Sequence, residues 1–117
     1  MKTKINWDLN TDLTEFEDSK DKTDAYRHHD MVLRWMKPAT VVAIQLTRQP
    51  DLKYKDQHLE EEDVWKGAHK GDWLPTIVLE YDKHGQITPW QEGYRRSLTA
   101  LRMGERVMPV WIATKRF

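Results

Sequence analysis

Thr76-Ile77-Val78-Leu79-Glu80-Tyr81 is followed by Asp82-Lys83-His84-Gly85 and then by Gln86-Ile87-Thr88-Pro89-Trp90. The first run is short, largely apolar and rich in strand-forming residues, the second is a cluster of turn formers, and the third reads as a returning strand. Pro89 stands at the far end of that strand, where a missing backbone donor matters least. Glu92-Gly93-Tyr94-Arg95-Arg96 breaks the pattern and opens a helix over 94–103, in which Leu98 and Leu101 are expected to bury beside Ala100. Gly104 closes that helix, and 107–112 is a last apolar strand with Pro109 near its start. Strand, strand, helix, strand predicts an α+β or α/β domain rather than a helical bundle.

Upstream the signals are more mixed. Thr23 is a plausible N-cap, and Tyr26, His29, Leu33 and Met36 recur at helical spacing with Val32 beside them, which predicts a helix ending near Lys37, before Pro38. Residues 38–46 admit two readings: Val41, Val42 and Ile44 favour a strand, while Pro38 suits the first position of a helix. Residues 49–57 read as a polar connection around Pro50. Residues 59–70 read as a helix with acidic residues near its start and Lys66, His69 and Lys70 near its end, both placements suiting the dipole, with Gly71 as terminator. Residues 1–22 read as an acidic, loosely attached arm anchored by Ile5, Trp7, Leu9, Leu13 and Phe16, and 23–117 as one domain.

The 117 residues include 19 basic and 19 acidic side chains, so no overall positive field favours nucleic acid. The total hides a gradient, because 8–24 holds seven acidic residues against Lys20 and Lys22, while 91–117 holds six basic residues against Glu92 and Glu105. The acidic front suits a solvated segment, and it would also suit folding back over the basic end or mimicking a nucleic-acid backbone towards a partner. With no cysteine, disulfides, thiol catalysis and cysteine-ligated zinc are excluded. No apolar run has the length of a membrane span, and Met1-Lys2-Thr3-Lys4 is followed by no apolar stretch, so a cytoplasmic protein with no membrane partner is expected.

The segment 90–97 carries the chemistry. Gly93 lets the backbone turn tightly and approach a ligand. The helix start offers free amides and the positive end of the dipole, Arg95 and Arg96 add two guanidinium forks, and Ser97 adds a hydroxyl. Arginines at a helix N-terminus oppose the dipole and call for an anion or a carboxylate to offset them. Trp90, beside the turn, is a candidate for stacking on a base as well as for core packing.

The run 77–81, the turn at Gly85, Glu92-Gly93-Tyr94-Arg95-Arg96-Ser97-Leu98, Gly104 and Met108-Pro109-Val110-Trp111-Ile112 together resemble the core of the ParB/sulfiredoxin-like superfamily, whose members carry a Gly-x-His-Arg or Gly-Glu-Arg-Arg turn, an Ala-rich helix, a glycine and a Val-Pro-Val strand. Met36-Lys37-Pro38 resembles the Met-x-Pro opening of its small members, so the match covers about 36–113 and tilts 38–46 towards a helix. The resemblance implies a small mixed sheet covered by helices and a turn that holds nucleotide phosphate. The superfamily includes a CTP-binding partition protein, an ATP-dependent sulfinic acid reductase and a free serine kinase. Carried over, it implies phosphate contacts from Gly93, Arg95 and Arg96, with Tyr94 in the variable place, Glu92 as metal ligand or catalytic base, and CTP or ATP with Mg as the cofactor.

Three departures narrow this. The catalytic cysteine of the sulfinic acid reductases has no counterpart, and Arg95 stands where a histidine is usual. Only five residues follow Ile112, so the helix-turn-helix of partition proteins is not expected. The reading is a small nucleotide- or nucleic-acid-phosphate-binding protein, with phosphoryl transfer or phosphodiester hydrolysis if it is an enzyme. The alternative is a non-catalytic protein-interaction or inhibitor module of phage or plasmid type that kept the fold. His58, Glu61 and Glu62 share one helix face and suit either a metal or water. His28 and His29 point to different sides of a helix, and His69 and His84 read as surface residues. Trp35, Trp73 and Trp111 are expected in or near the core, and Trp65 with Trp73 offers a protein-binding patch.

Overall fold

The computed structural model describes residues 3–9, 29–88 and 93–117, to which every structural statement below refers. In chain order the elements are β1 (Asn6–Asp8), β2 (His29–Met36), α1 (Pro38–Arg48), 3-10 helices at Pro50–Asp56 and Leu59–Glu61, α2 (Asp63–Lys70), β3 (Trp73–Pro75), β4 (Ile77–Tyr81), α3 (Tyr94–Arg102) and β5 (Met108–Lys115). This is a mixed α+β arrangement. A three-stranded sheet runs β2-β5-β4, with β2 antiparallel and β4 parallel to the central β5, and a two-stranded parallel sheet joins β1 to β3.

Residues 29–36 are a strand and not the end of a helix. His29, Met31 and Leu33 are less exposed than Asp30, Val32 and Arg34, an alternation of period 2. The spacing of His29, Leu33 and Met36 is also compatible with a helix. Pairing with β5 from His29↔Lys115 to Met36↔Met108 decides for the strand. The proposed start of that helix, 23–28, lies outside the described residues. Residues 38–48 are helical, with Pro38 in the first turn where its missing amide costs nothing. The expected helix over 59–70 is split: a 3-10 turn ends at Glu61 and the α-helix begins at Asp63, while Gly71 adopts φ 89 and terminates it. Of the second expected strand, the described residues keep the Tyr81↔Ile87 bridge, the Asp82 amide donating to the Gln86 carbonyl at 2.8 Å and the Thr88 amide donating to the Glu80 carbonyl at 2.9 Å.

Ile77, Leu79, Val110 and Met108 from the sheet pack against Val41 of α1 and Ala100 of α3, all fully buried, and Val42, Leu52, Leu59, Tyr94 and Leu98 form a second cluster. Residues 3–9 are not loose. Ile5 and Trp7 are buried in the first cluster, and the Glu105 carboxylate accepts the amides of Lys4 and Ile5 at 2.6 and 2.8 Å. Thr76 donates its hydroxyl to the Asp8 carbonyl at 2.7 Å, so both ends of β1 are fixed.

The tryptophans do not divide as expected. Trp7 is core, Trp111 is half-buried with its indole N–H on the Leu9 carbonyl at 2.5 Å, and Trp35 and Trp73 are 36% and 70% exposed. Trp73 follows the alternation of a three-residue strand in which Leu74 takes the buried side. Leu98 is buried as expected, but Leu101, in the last turn of α3, is 38% exposed.

Candidate functional site

The hairpin after β4 turns the chain back, and Gly93 lands against the start of that strand. Gly93 adopts φ 85 and ψ 18 as the N-cap of α3. A Cβ there would lie 2.3 Å from Ile77 Cγ2 and 3.0 Å from Ile77 Cβ, far inside contact distance, so only glycine fits. Among the described residues no side chain caps α3, and no acidic residue stands in its first turn. The Gly93 carbonyl accepts the Ser97 amide at 3.0 Å and the Ser97 hydroxyl at 3.2 Å, as expected one turn into a helix.

The two arginines have different surroundings. Arg96 donates Nη1 to the Pro75 carbonyl at 2.8 Å, tying α3 to β3. Arg95 Nε lies 3.8 Å from Glu62 Oε1, an ion pair too long for a hydrogen bond, and this buried Nε has no hydrogen-bond partner among the described residues. Glu62 is thus the carboxylate that offsets a cation at this helix start. Ser97 is fully buried with its hydroxyl spent on the helix.

Tyr94 is buried, and its hydroxyl donates to Asp56 Oδ1 at 2.5 Å, while Lys53 Nζ sits 2.8 Å from Asp56 Oδ2 and Arg102 donates to the Asp56 carbonyl at 3.1 Å. Burial and the neighbouring carboxylate push the Tyr94 phenol far above its ordinary value. Burial pulls the Asp56 carboxyl upward, but hydrogen bonds from Lys53 and Tyr94 and the charges of Lys53 and Arg102 outweigh it and hold it below 3.8. A carboxyl whose folded pKa is depressed contributes stability that is present above its unfolded pKa and lost as pH falls through the folded one. Tyr94→Phe is therefore expected to lower stability at neutral pH by about 1.5–3 kcal/mol and to flatten its decline below about pH 4, measured by urea unfolding across pH.

Gly93, Arg95 and Arg96 open on a cleft of about 800 Å³ between the turn, β3 and α2. Its charged lining among the described residues is Lys55, Arg95 and Arg96 against Glu62, Asp63 and Asp72, with the two arginines at the turn, Lys55 on the 3-10 helix Pro50–Asp56, and Glu62 and Asp63 at the start of α2. Trp73 stands at the cleft as an exposed ring. Glu92 and Trp90, the proposed catalytic and stacking residues, lie outside the described residues. His58 Nδ1 is 3.5 Å from Glu61 Oε1 with both side chains in solvent, and no group of three or more metal-ligating side chains converges among the described residues.

Ile77, Pro75, Asp56 and Glu62, which shape the turn, gave no sign in the sequence, since each comes from a segment at least sixteen residues away from Gly93. Trp73 carried a usable signal, an aromatic alternating with Leu74 after a helix-ending glycine. No protein-family model, no curated protein and no solved structure matches the chain. What the fold and the geometry define is a small α+β protein with a glycine-arginine turn beside an open cleft. No helix among the described residues is long and apolar enough to cross a membrane.

Proposed function

We propose that the turn 93–96 binds phosphate, and that the protein is a nucleotide- or nucleic-acid-phosphate-binding member of the ParB/sulfiredoxin-like group. The observation that carries the reading is the start of α3 opening on the cleft, with no side-chain cap among the described residues and with the buried Arg95 Nε lacking a hydrogen-bond partner among them. Backbone amides at a helix start and a guanidinium fork together match a phosphate oxygen face. Arg96, already on the Pro75 carbonyl, holds the turn in shape and adds charge. In an enzymatic form Glu92 serves as metal ligand or base for phosphoryl transfer or phosphodiester hydrolysis, where positioning and charge neutralisation supply most of the rate.

The test is a thermal-shift series with CTP, ATP, GTP and ADP, with and without magnesium, on the wild type, Arg95→Ala and Glu62→Gln. At a hundredfold excess over Kd a ligand adds about 2.7 kcal/mol of stability, enough to move the melting temperature by several degrees. Arg95→Ala is expected to remove most of that rise. Glu62→Gln releases Arg95 from its competing carboxylate and is expected to tighten binding roughly 2–5-fold, the worth of an exposed ion pair. No rise with any nucleotide in a folded protein would move the function to the second reading, a protein-interaction module. That reading is favoured by Trp73, exposed at the cleft, and Tyr54, exposed on the neighbouring 3-10 helix.

A further inference from the structure

Edge strands offer a row of backbone donors and acceptors, and proteins usually blunt them with bulges, prolines or inward charges. β2 is an edge of the three-stranded sheet, eight residues long, with no proline, no bulge and no strand paired to its outer side among the described residues. Its side chains are apolar for an edge: Val32 is 44% and Trp35 36% exposed, with Met31 and Leu33 half-buried on either side of Val32.

We infer that β2 pairs with β2 of a second copy of this chain, antiparallel about a two-fold axis through Val32, giving one six-stranded sheet in the order β4-β5-β2-β2-β5-β4. The partner follows from the charge pattern. A two-fold axis perpendicular to the sheet keeps each face on its own side, so only registers pairing residues of like parity are allowed. Centring on Val32 sets Asp30 opposite Arg34 of the second copy and Arg34 opposite its Asp30, with the two Val32 side chains touching between them. On the other face the same register sets Met31 against Leu33 twice, and His29 against Trp35 at the ends. Moving the axis to Leu33 would place Asp30 against Met36 and Arg34 against Val32, stranding all four charges opposite apolar groups. Opposite charges and apolar pairs directly across an antiparallel ladder are the stabilising combinations. Asp30 already accepts Arg116 Nε on Oδ1 at 3.0 Å, and its second oxygen remains available to the incoming Arg34.

The test is sedimentation equilibrium of the full chain from low to high micromolar concentration. The wild type is expected to reach a dimer. Arg34→Asp sets Asp against Asp twice per dimer and is expected to weaken association about tenfold or more. Asp30→Arg combined with Arg34→Asp swaps the pairs and is expected to restore the dimer, an outcome that damage to the fold cannot produce. Val32→Lys, which sets two ammonium groups face to face at the axis, is expected to leave a folded monomer by circular dichroism. A wild type that is monomeric throughout, a dimer indifferent to Arg34→Asp, or a double variant that stays as weak as the single one would each overturn the pairing.

Discussion

Gly93→Ala is expected to cost about 2–5 kcal/mol of stability. Two physical terms add. An alanine held at φ 85 bears the left-handed strain of an L-residue, about 1–2 kcal/mol. Its methyl must also push Ile77 Cγ2 from 2.3 Å out to contact distance, and Ile77 is a fully buried core residue at the head of β4, so the overpacking term is about 1–3 kcal/mol. Gly85 provides the control: it has φ 79 but nothing within 4 Å of its would-be Cβ, so Gly85→Ala carries the strain term alone. Urea unfolding of the two variants separates the terms. If Gly93→Ala proves no more costly than Gly85→Ala, the close approach of turn to strand is absent in solution, and with it the geometry of the proposed site.

Glu105→Ala is the second large effect. Glu105 lies just past Gly104, is nine-tenths buried, and accepts two backbone amides, those of Lys4 and Ile5, on a single oxygen. Removing it leaves both donors without an acceptor next to the buried Ile5 side chain, at about 2–4 kcal/mol for charge-assisted bonds of this kind. The loss should also be local. Amide exchange at residues 4–8 is expected to accelerate far more than at β4 or β5, because Glu105 holds this end of β1 directly while the other end keeps the Thr76 bonds to Asp8 and the Trp111 bond to the Leu9 carbonyl. Uniform acceleration across the sheet would show that residues 3–9 unfold only with the whole molecule. Glu105→Gln, which keeps an uncharged acceptor, should fall between the two.

The same particulars explain what could be read from the chain alone. β4, α3 and β5 were legible because each is written in local terms: a short, largely apolar run of strand formers at 77–81, a glycine and a charged first turn at 93–96, and a second glycine at 104. The strand at 29–36 was not, since His29, Leu33 and Met36 satisfy helical spacing as well, and only β5, some eighty residues away, decides between them. Ile5 and Trp7 were legible as anchors, but the acidic composition around them suggested a loosely attached arm, whereas both belong to the core. That attachment is made by Glu105 and Thr76, neither of which has any local signature.

At the site, residue types were readable and roles were not. The sequence presents Arg95 and Arg96 as equivalent, whereas Pro75 engages one and Glu62 faces the other. Tyr94 reads as the variable residue of a phosphate turn, and only the fold shows that Asp56, thirty-eight positions earlier, takes its hydroxyl.

The most direct test of the phosphate site follows the backbone amides themselves. In a proton–nitrogen correlation titration of the wild type with ATP and, separately, pyrophosphate, the amides of Tyr94, Arg95 and Arg96 are expected to shift together and saturably, with weaker binding in Arg95→Ala. Saturable shifts centred elsewhere, or none at the start of α3 at millimolar ligand, would contradict the account and leave the cleft to a partner that engages Trp73 instead.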